Sequence, residues 1–336
     1  MYEPRRAQFH LPGLFEFYEF YRVFLPLYRA HRAYFYDWCE IVSLYGAPEG
    51  CIWGGGRVGC GNQDARAVLA LTREYGLSAR LTFSNSLLTG AHLSDPACNA
   101  LCRLFSEADG PQNGVIVHSE LLLDYLRAAY PQFYFVSSTT KVLTGFPALR
   151  QELEREEFCF VVPDFRLNRA MDQLRALPQA LKDKTEFLCN ECCWFGCKDR
   201  KACYEAVSRK NLGEDAPHRC TAPGAADGYR FSRAMENPRL SQRFGYPDSL
   251  PAHGFFQLQA RGARPRQRDA SGISALLSHK AGAPAARARG DLSGRDAGSV
   301  LACFPDPHRK SGAGRTYAPA CTFWFTASNR RPAAAP

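Results

Sequence analysis

The chain has 336 residues, 46% of them hydrophobic and 22% charged, with 14 cysteines and a formal net charge of +9. That length builds one large α/β domain or two smaller ones, and no apolar run approaches the roughly 18 residues of a membrane span. Residues 256–336 hold 13 of the 42 Lys and Arg and only 4 of the 33 acidic groups, so residues 1–255 carry 29 of each and show no bulk attraction to nucleic acid or membrane.

Neither DNA nor a membrane is therefore expected as a partner. The opening MYEPRRAQFHLPG lacks the apolar core and cleavage site of a secretory signal, so the expected location is cytoplasmic, with thiols reduced or bound to metal. Residues 14–38 are aromatic-rich at helical spacing, and Pro26 is expected to end or kink the first helix near Phe24. CEIVSLYG (39–46) reads as a short buried strand ending in a turn. IWGGGRVGCGN (52–62) formally fits G-x-G-x-x-G, but no acidic residue closes the next strand, as a dinucleotide site requires. Two readings remain: a loop that brings Arg57 and backbone amides to an anion, or a plain tight loop.

DARAVLALTREYG (64–76) is a helix with Asp64 as N-cap and Gly76 just past its end. Strands follow at SARLTFS (78–84), NGVIVHS (113–119), QFYFVSS (132–138), FCFVVPD (158–164) and KTEFLCN (184–190), alternating with helices near 98–105, 120–130, 146–157 and 167–177. The strands are continuous β-branched and aromatic runs, as parallel strands covered on both faces require. An open doubly wound sheet and a closed barrel both fit. The barrel is favoured because each strand ends in polar or ionisable groups, which a (β/α) barrel gathers at one mouth. These are Ser84 and Asn85, His118, Ser138 through Lys141, Asp164 with Arg166, and Asn190 with Glu191. Asn85, His118, Lys141, Asp164 and Glu191 are expected to line one cavity.

The segment from Glu186 to Cys220 holds six cysteines: Cys189, Cys192, Cys193, Cys197, Cys203 and Cys220. Thiolates are soft ligands suited to zinc, copper(I) or iron–sulfur clusters. Cys193 and Cys197 are spaced to face one centre, Cys203 lies one or two turns on, and Cys220 returns after a polar loop. Cys189 and Cys192 also read as buried small hydrophobes.

With these residues in hand, the chain resembles the collagenase-like peptidase family (peptidase family U32). The matching features are WGGGRVG, VSSTTKV (136–142), VVPDFRLN (161–168) and NECCWFGCKDRKACYE with its later HRCTAP, within roughly residues 36–255. The resemblance implies a TIM-like (β/α) barrel with a 4Fe-4S cluster at its mouth, and relatives that support oxygen-independent hydroxylation of RNA bases or quinone precursors. It also implies ligands at Cys193, Cys197 and Cys220, with Cys203 as fourth and Cys189 or Cys192 as alternates.

The leading expectation is an iron–sulfur redox enzyme with an electron donor and a small-molecule or RNA substrate. Arg57, Asn85, Lys141, Arg166 and Asn190 would hold an anionic substrate or offset thiolate charge, and His118, Asp164 and Glu191 would move protons, with Lys141 beside them. The alternatives are a peptidase, for which neither G-x-S-x-G nor H-E-x-x-H is present, and a non-catalytic binding module carrying zinc or a cluster. The barrel domain is placed at 1–254. From residue 255 Ala, Arg, Gly, Pro and Ser dominate and periodicity vanishes. Residues 255–336 are read as out of frame and disordered, because a one-nucleotide shift with freely chosen codons turns FFQLQARGARPRQRDASG into the family's final barrel segment. The barrel would then be incomplete, with an open edge.

Overall fold

The computed structural model describes residues 6–35, 39–55, 61–189, 191, 193–222 and 254–259. Its strands are β1 (Ala7–Pro12), β2 (Cys39–Gly46), β3 (Ser78–Phe83), β4 (Gly114–Val117), β5 (Tyr134–Ser137), β6 (Phe160–Val161), β7 (Glu186–Leu188) and β8 (Gln257–Gln259). All eight pair in parallel in the order β6-β5-β4-β3-β2-β1-β8-β7. An isolated parallel bridge between Val161 and Thr185 joins the two ends of that order. The result is a nearly closed TIM-like α/β barrel.

The helices are α1 (Tyr18–Ala30), α2 (Ala65–Glu74), α3 (Pro96–Ser106), α4 (Glu120–Ala129), α5 (Phe146–Glu154), α6 (Met171–Arg175), α7 (Gln179–Lys184) and α8 (Arg200–Asn211). The expected cap is present on α2: Asp64 accepts from the N–H groups of Arg66 and Ala67, and Gly76 follows the helix at φ +65°. Contrary to expectation, α1 continues through Pro26. Its apolar stripe of Phe20, Tyr21, Phe24 and Leu25 is buried, and packing of that face outweighs the one backbone hydrogen bond proline removes.

Two strands lie outside the sequence expectation. β1 was not anticipated, and β8 lies beyond the boundary placed at residue 254. β8 pairs with β1 through Gln8↔Gln257 and with β7 through Glu186↔Gln257, so the open edge expected there is occupied. Residues 260–336 lie outside the described residues.

The barrel interior carries a charged layer in its amino-terminal half. Arg80 of β3 donates from Nη1 to Glu186 Oε2 of β7 at 2.7 Å and from Nε to the Tyr134 hydroxyl at 2.8 Å. Gln259 donates to Glu186 Oε1 at 2.8 Å. Gln257 donates its own amide to Gln8 Oε1, which leaves its Oε1 to accept from His10 Nε2 at 3.0 Å, while His10 Nδ1 meets the Ser43 hydroxyl at 2.7 Å. His10, Arg80 and Glu186 are each 1% exposed or less. Gly114 on β4 makes room for this layer, since a Cβ there would lie 2.5 Å from the Tyr134 ring. Above it sits an apolar layer of Ile116, Val136, Val162, Phe165 and Leu188, against which Cys193 and Phe195 pack. The mouth thus has an apolar floor, roofed in part by the cysteine-rich loop.

Candidate functional site

The ends of β6 and β7 meet the start of α8 around one arginine. Arg200, 1% exposed, places Nε 3.3 Å from Asp164 Oδ2 and donates from Nη2 to Glu191 Oε2 at 2.7 Å. The Phe165 and Tyr204 rings lie 4.8 and 5.3 Å from its guanidinium carbon. Asp164 also accepts from Arg166, at 2.6 Å from Nε and 3.0 Å from Nη2, and Arg166 Nη1 donates to the Cys197 carbonyl at 2.8 Å. Glu191 Oε1 accepts the Cys193 N–H at 3.2 Å. Asp164, Arg166, Glu191 and Arg200 therefore form one alternating ion set that carries Cys193 and Cys197 on its outer side. Both carboxylates are held by arginine and fasten the loop through these contacts.

Among the cysteines, the Cys197 thiol is pushed up in pKa, first by burial and then by several weaker effects that include the neighbouring Cys193 and Cys220 sulfurs. These three thiols share one electrostatic neighbourhood. The Cys220 segment is held there by Thr221, whose hydroxyl donates to Asp199 Oδ2 at 2.7 Å at the start of α8. Cys203 stands one turn inside that helix, its N–H bonded to the Asp199 carbonyl. Cys189 belongs elsewhere: it is buried next to Cys39 and Glu186, burial drives its pKa up, and its N–H bonds Gln259 on β8. It is a wall residue, the second of its two sequence readings. Cys192, Asn190 and Arg57 lie outside the described residues.

His118, at the end of β4, is half-buried, and its Nδ1 lies 2.8 Å from Thr140 Oγ1. Thr140 in turn donates to Ser138 Oγ at 2.9 Å, which assigns the proton to Nδ1 and leaves Nε2 as the acceptor. Burial, then Lys141 and Lys201, lower its pKa to about 4, so it is neutral at pH 7. The turn beside it ends at Val142, the one described non-glycine residue with positive φ, at φ 55° and ψ 51°.

Two expected mouth residues face other partners. Lys141 donates to Glu120 Oε1 at 2.8 Å and Glu152 Oε1 at 2.6 Å, in a cluster with Arg155 over α4 and α5. Its charge is spent on the outer layer of the barrel. Asn85 gives both amide hydrogens to backbone carbonyls, Ile52 at 2.8 Å and Ser208 at 3.2 Å, and accepts from the Leu87 N–H. It pins α8 to the loop after β2, and no donor remains for a substrate. Of the five strand-end residues expected to line one cavity, Asp164 and Glu191 are brought together through Arg200, while Lys141 and Asn85 are engaged elsewhere. The sequence reading missed Arg200, whose only signal is a basic residue directly after the cysteine loop, and Ser208, which receives the Ser86 N–H at 3.1 Å.

Among the described residues, no group of three or more His, Cys, Asp or Glu side chains converges to hold a metal ion, and no helix is long and apolar enough to cross a membrane. No known family's sequence profile matches the chain, and no curated protein matches it. Among solved structures it is similar to the U32 peptidase Mk0906, with 11% identity and a TM-score of 0.47 over 78% of this chain and 95% of that one.

Proposed function

We propose that the chain is a cytoplasmic iron–sulfur protein whose cluster is held at the barrel mouth by Cys193, Cys197 and Cys220, with Cys203 as fourth ligand. The observation that carries this reading is that Cys193, packed on the apolar floor, and Cys197 sit on one loop fastened to the ends of β6 and β7 by Glu191 and Arg166. The donor chemistry fits: cysteine thiolates are soft ligands suited to an iron–sulfur cluster or to zinc, and Arg166 and Arg200 are fastened to the same loop, where their charge offsets that of thiolates. The bound group would supply one-electron transfer or a Lewis-acidic iron.

The remaining roles belong to the chain. Arg200 and Arg166 hold the ligand loop through Asp164, Glu191 and the Cys197 carbonyl, and their positive charge offsets thiolate charge. Arg166 keeps N–H groups over after these contacts and faces solvent in part, so it is the group suited to an anionic substrate. His118 Nε2 accepts a hydrogen bond or a proton from substrate. Trp194 is 39% exposed, and its ring lies so close over Gly196 that a Cβ there would sit 2.6 Å away. One ring face is thereby left to stack on a flat partner, which supports an RNA base or small aromatic as substrate of an oxygen-independent hydroxylation. An external electron donor completes the reaction.

The test is anaerobic purification followed by absorption spectroscopy and iron and sulfide analysis of wild type, Cys197→Ser and Cys189→Ser. Broad visible absorption with iron and sulfide, lost in Cys197→Ser and kept in Cys189→Ser, is the expected result. Colourless protein carrying stoichiometric zinc would overturn it.

A further inference from the structure

A second group of thiols lies away from the mouth cluster, in the wall between the loop after β2 and helix α3. Cys51 and Cys98 bring their sulfurs to 3.6 Å, both buried, at 6% and 1% exposure. Cys102, one turn further along the buried face of α3, is fully enclosed. Nothing in the proposed cluster chemistry uses these residues. We propose that Cys51 and Cys98 are a peroxide-reducing dithiol: hydrogen peroxide oxidises the pair to a disulfide and is itself reduced to water.

The surroundings divide the roles. The two sulfurs share one hydrogen between them, and the backbone N–H groups of Gly54 and Trp53 favour the Cys51 thiolate, so Cys51 is lowered in pKa and Cys98 raised. Cys51 is the attacking sulfur and Cys98 the resolving one. In the first step the Cys51 thiolate takes one peroxide oxygen, the O–O bond breaks, and hydroxide leaves; Cys51 becomes a sulfenic acid. In the second, the Cys98 sulfur attacks the Cys51 sulfur, the S–O bond breaks, and a second water forms with the Cys98 proton. Two thiols lose two electrons, and one peroxide becomes two waters. Closing a 3.6 Å contact to a bond of about 2.05 Å needs only small side-chain rotations. Burial favours an oxidant the size of water over a bulky disulfide.

The cross-link would act on the mouth. The Cys51 loop is already tied to the end of β3 by Asn85 and to α8 by Asn211, whose Nδ2 donates to the Gly54 carbonyl at 2.5 Å. Trp53 Nε1 donates to the His92 carbonyl at 2.8 Å, just before α3. A Cys51–Cys98 bond would lock that loop to α3 covalently.

The experiment treats the reduced full-length chain with graded hydrogen peroxide, alkylates free thiols and maps disulfides by mass spectrometry. The expected result is a dominant Cys51–Cys98 cross-link, lighter by two hydrogens and reversed by dithiothreitol. Cys98→Ala should replace it with a trappable sulfenic acid on Cys51, and Cys102→Ala should leave it unchanged, with the circular dichroism of each variant checked against wild type. The proposal fails if Cys51 and Cys98 stay alkylatable while exposed Cys159 and Cys220 oxidise, or if Cys51 pairs with any other cysteine. Iron content is not read in this experiment, so its failure leaves the cluster reading standing.

Discussion

Replacing Glu186 with glutamine puts the barrel's charged layer to the test. The carboxylate accepts from Arg80 at one oxygen and from Gln259 at the other, and both it and Arg80 are sealed from water. An amide in its place turns one end into a donor facing a donor and leaves the guanidinium without a counter-charge. Removing one partner of a buried pair costs about 3–5 kcal/mol, a large part of the 5–15 kcal/mol that holds a typical domain folded. Replacing the whole pair, in Arg80→Met/Glu186→Leu, removes both charges and should recover at least half of the loss. Urea unfolding followed by circular dichroism reads both variants, with an unchanged m-value confirming that stability alone has moved. A Glu186→Gln loss below about 1 kcal/mol would refute the reasoning, since it would mean that water reaches the pair and screens it.

Acid should weaken the fold through a buried histidine. Burial, then Arg80, hold His10 at a pKa of about 4 against an ordinary 6.5. Between those values the unfolded chain binds the extra proton, so stability is full above about pH 6.5 and falls by up to about 3 kcal/mol toward pH 4. Urea midpoints across that window should drop in wild type and drop about half as much in His10→Gln, where His118, also held at about 4, keeps its own share. Val142→Asn should raise stability by about 0.5 kcal/mol, because asparagine tolerates the left-handed region better than a β-branched residue; a loss above about 1 kcal/mol would show that the valine's packing outweighs the strain. Because Gln257–Gln259 pair in the written frame with both β1 and β7, resequencing the gene across codons 255–272 should show one continuous frame there, with matching tryptic peptides from the purified chain; a one-nucleotide shift would instead uphold the out-of-frame reading.

Of the six strands read correctly from sequence, β4 and β5 give the plainest signal, the apolar runs GVIV and YFVS, while β2, β3 and β7 keep enough apolar residues around one buried polar group to be read. β1 escaped because His10 points into the barrel, where a polar residue breaks the apolar run that signals a strand. β8 escaped for the same reason, with Gln257 and Gln259 facing inward and Leu258 alone between them. At the mouth, strand ends told which residues would be near it but not which way they turn. Lys141 turns outward because Glu120 and Glu152 wait on two helices, and Asn85 is consumed by a carbonyl on α8, far along the chain. Arg200 reads as a solvated helix residue until Asp164 and Glu191 are folded around it. Local pattern carries the scaffold; the direction of each charged side chain is set by partners that only the closed barrel assembles.

β8 also sets the order in which the protein is made. β1 leaves the ribosome first, yet one of its two neighbours is among the last described residues, and Gln8 waits for Gln257. At about 5–20 residues per second, roughly 10–50 s of synthesis separate the two. Through that interval β1 presents bare backbone on one side, joined by β7 for the last 69 residues, so the nascent chain is the species most in need of a chaperone.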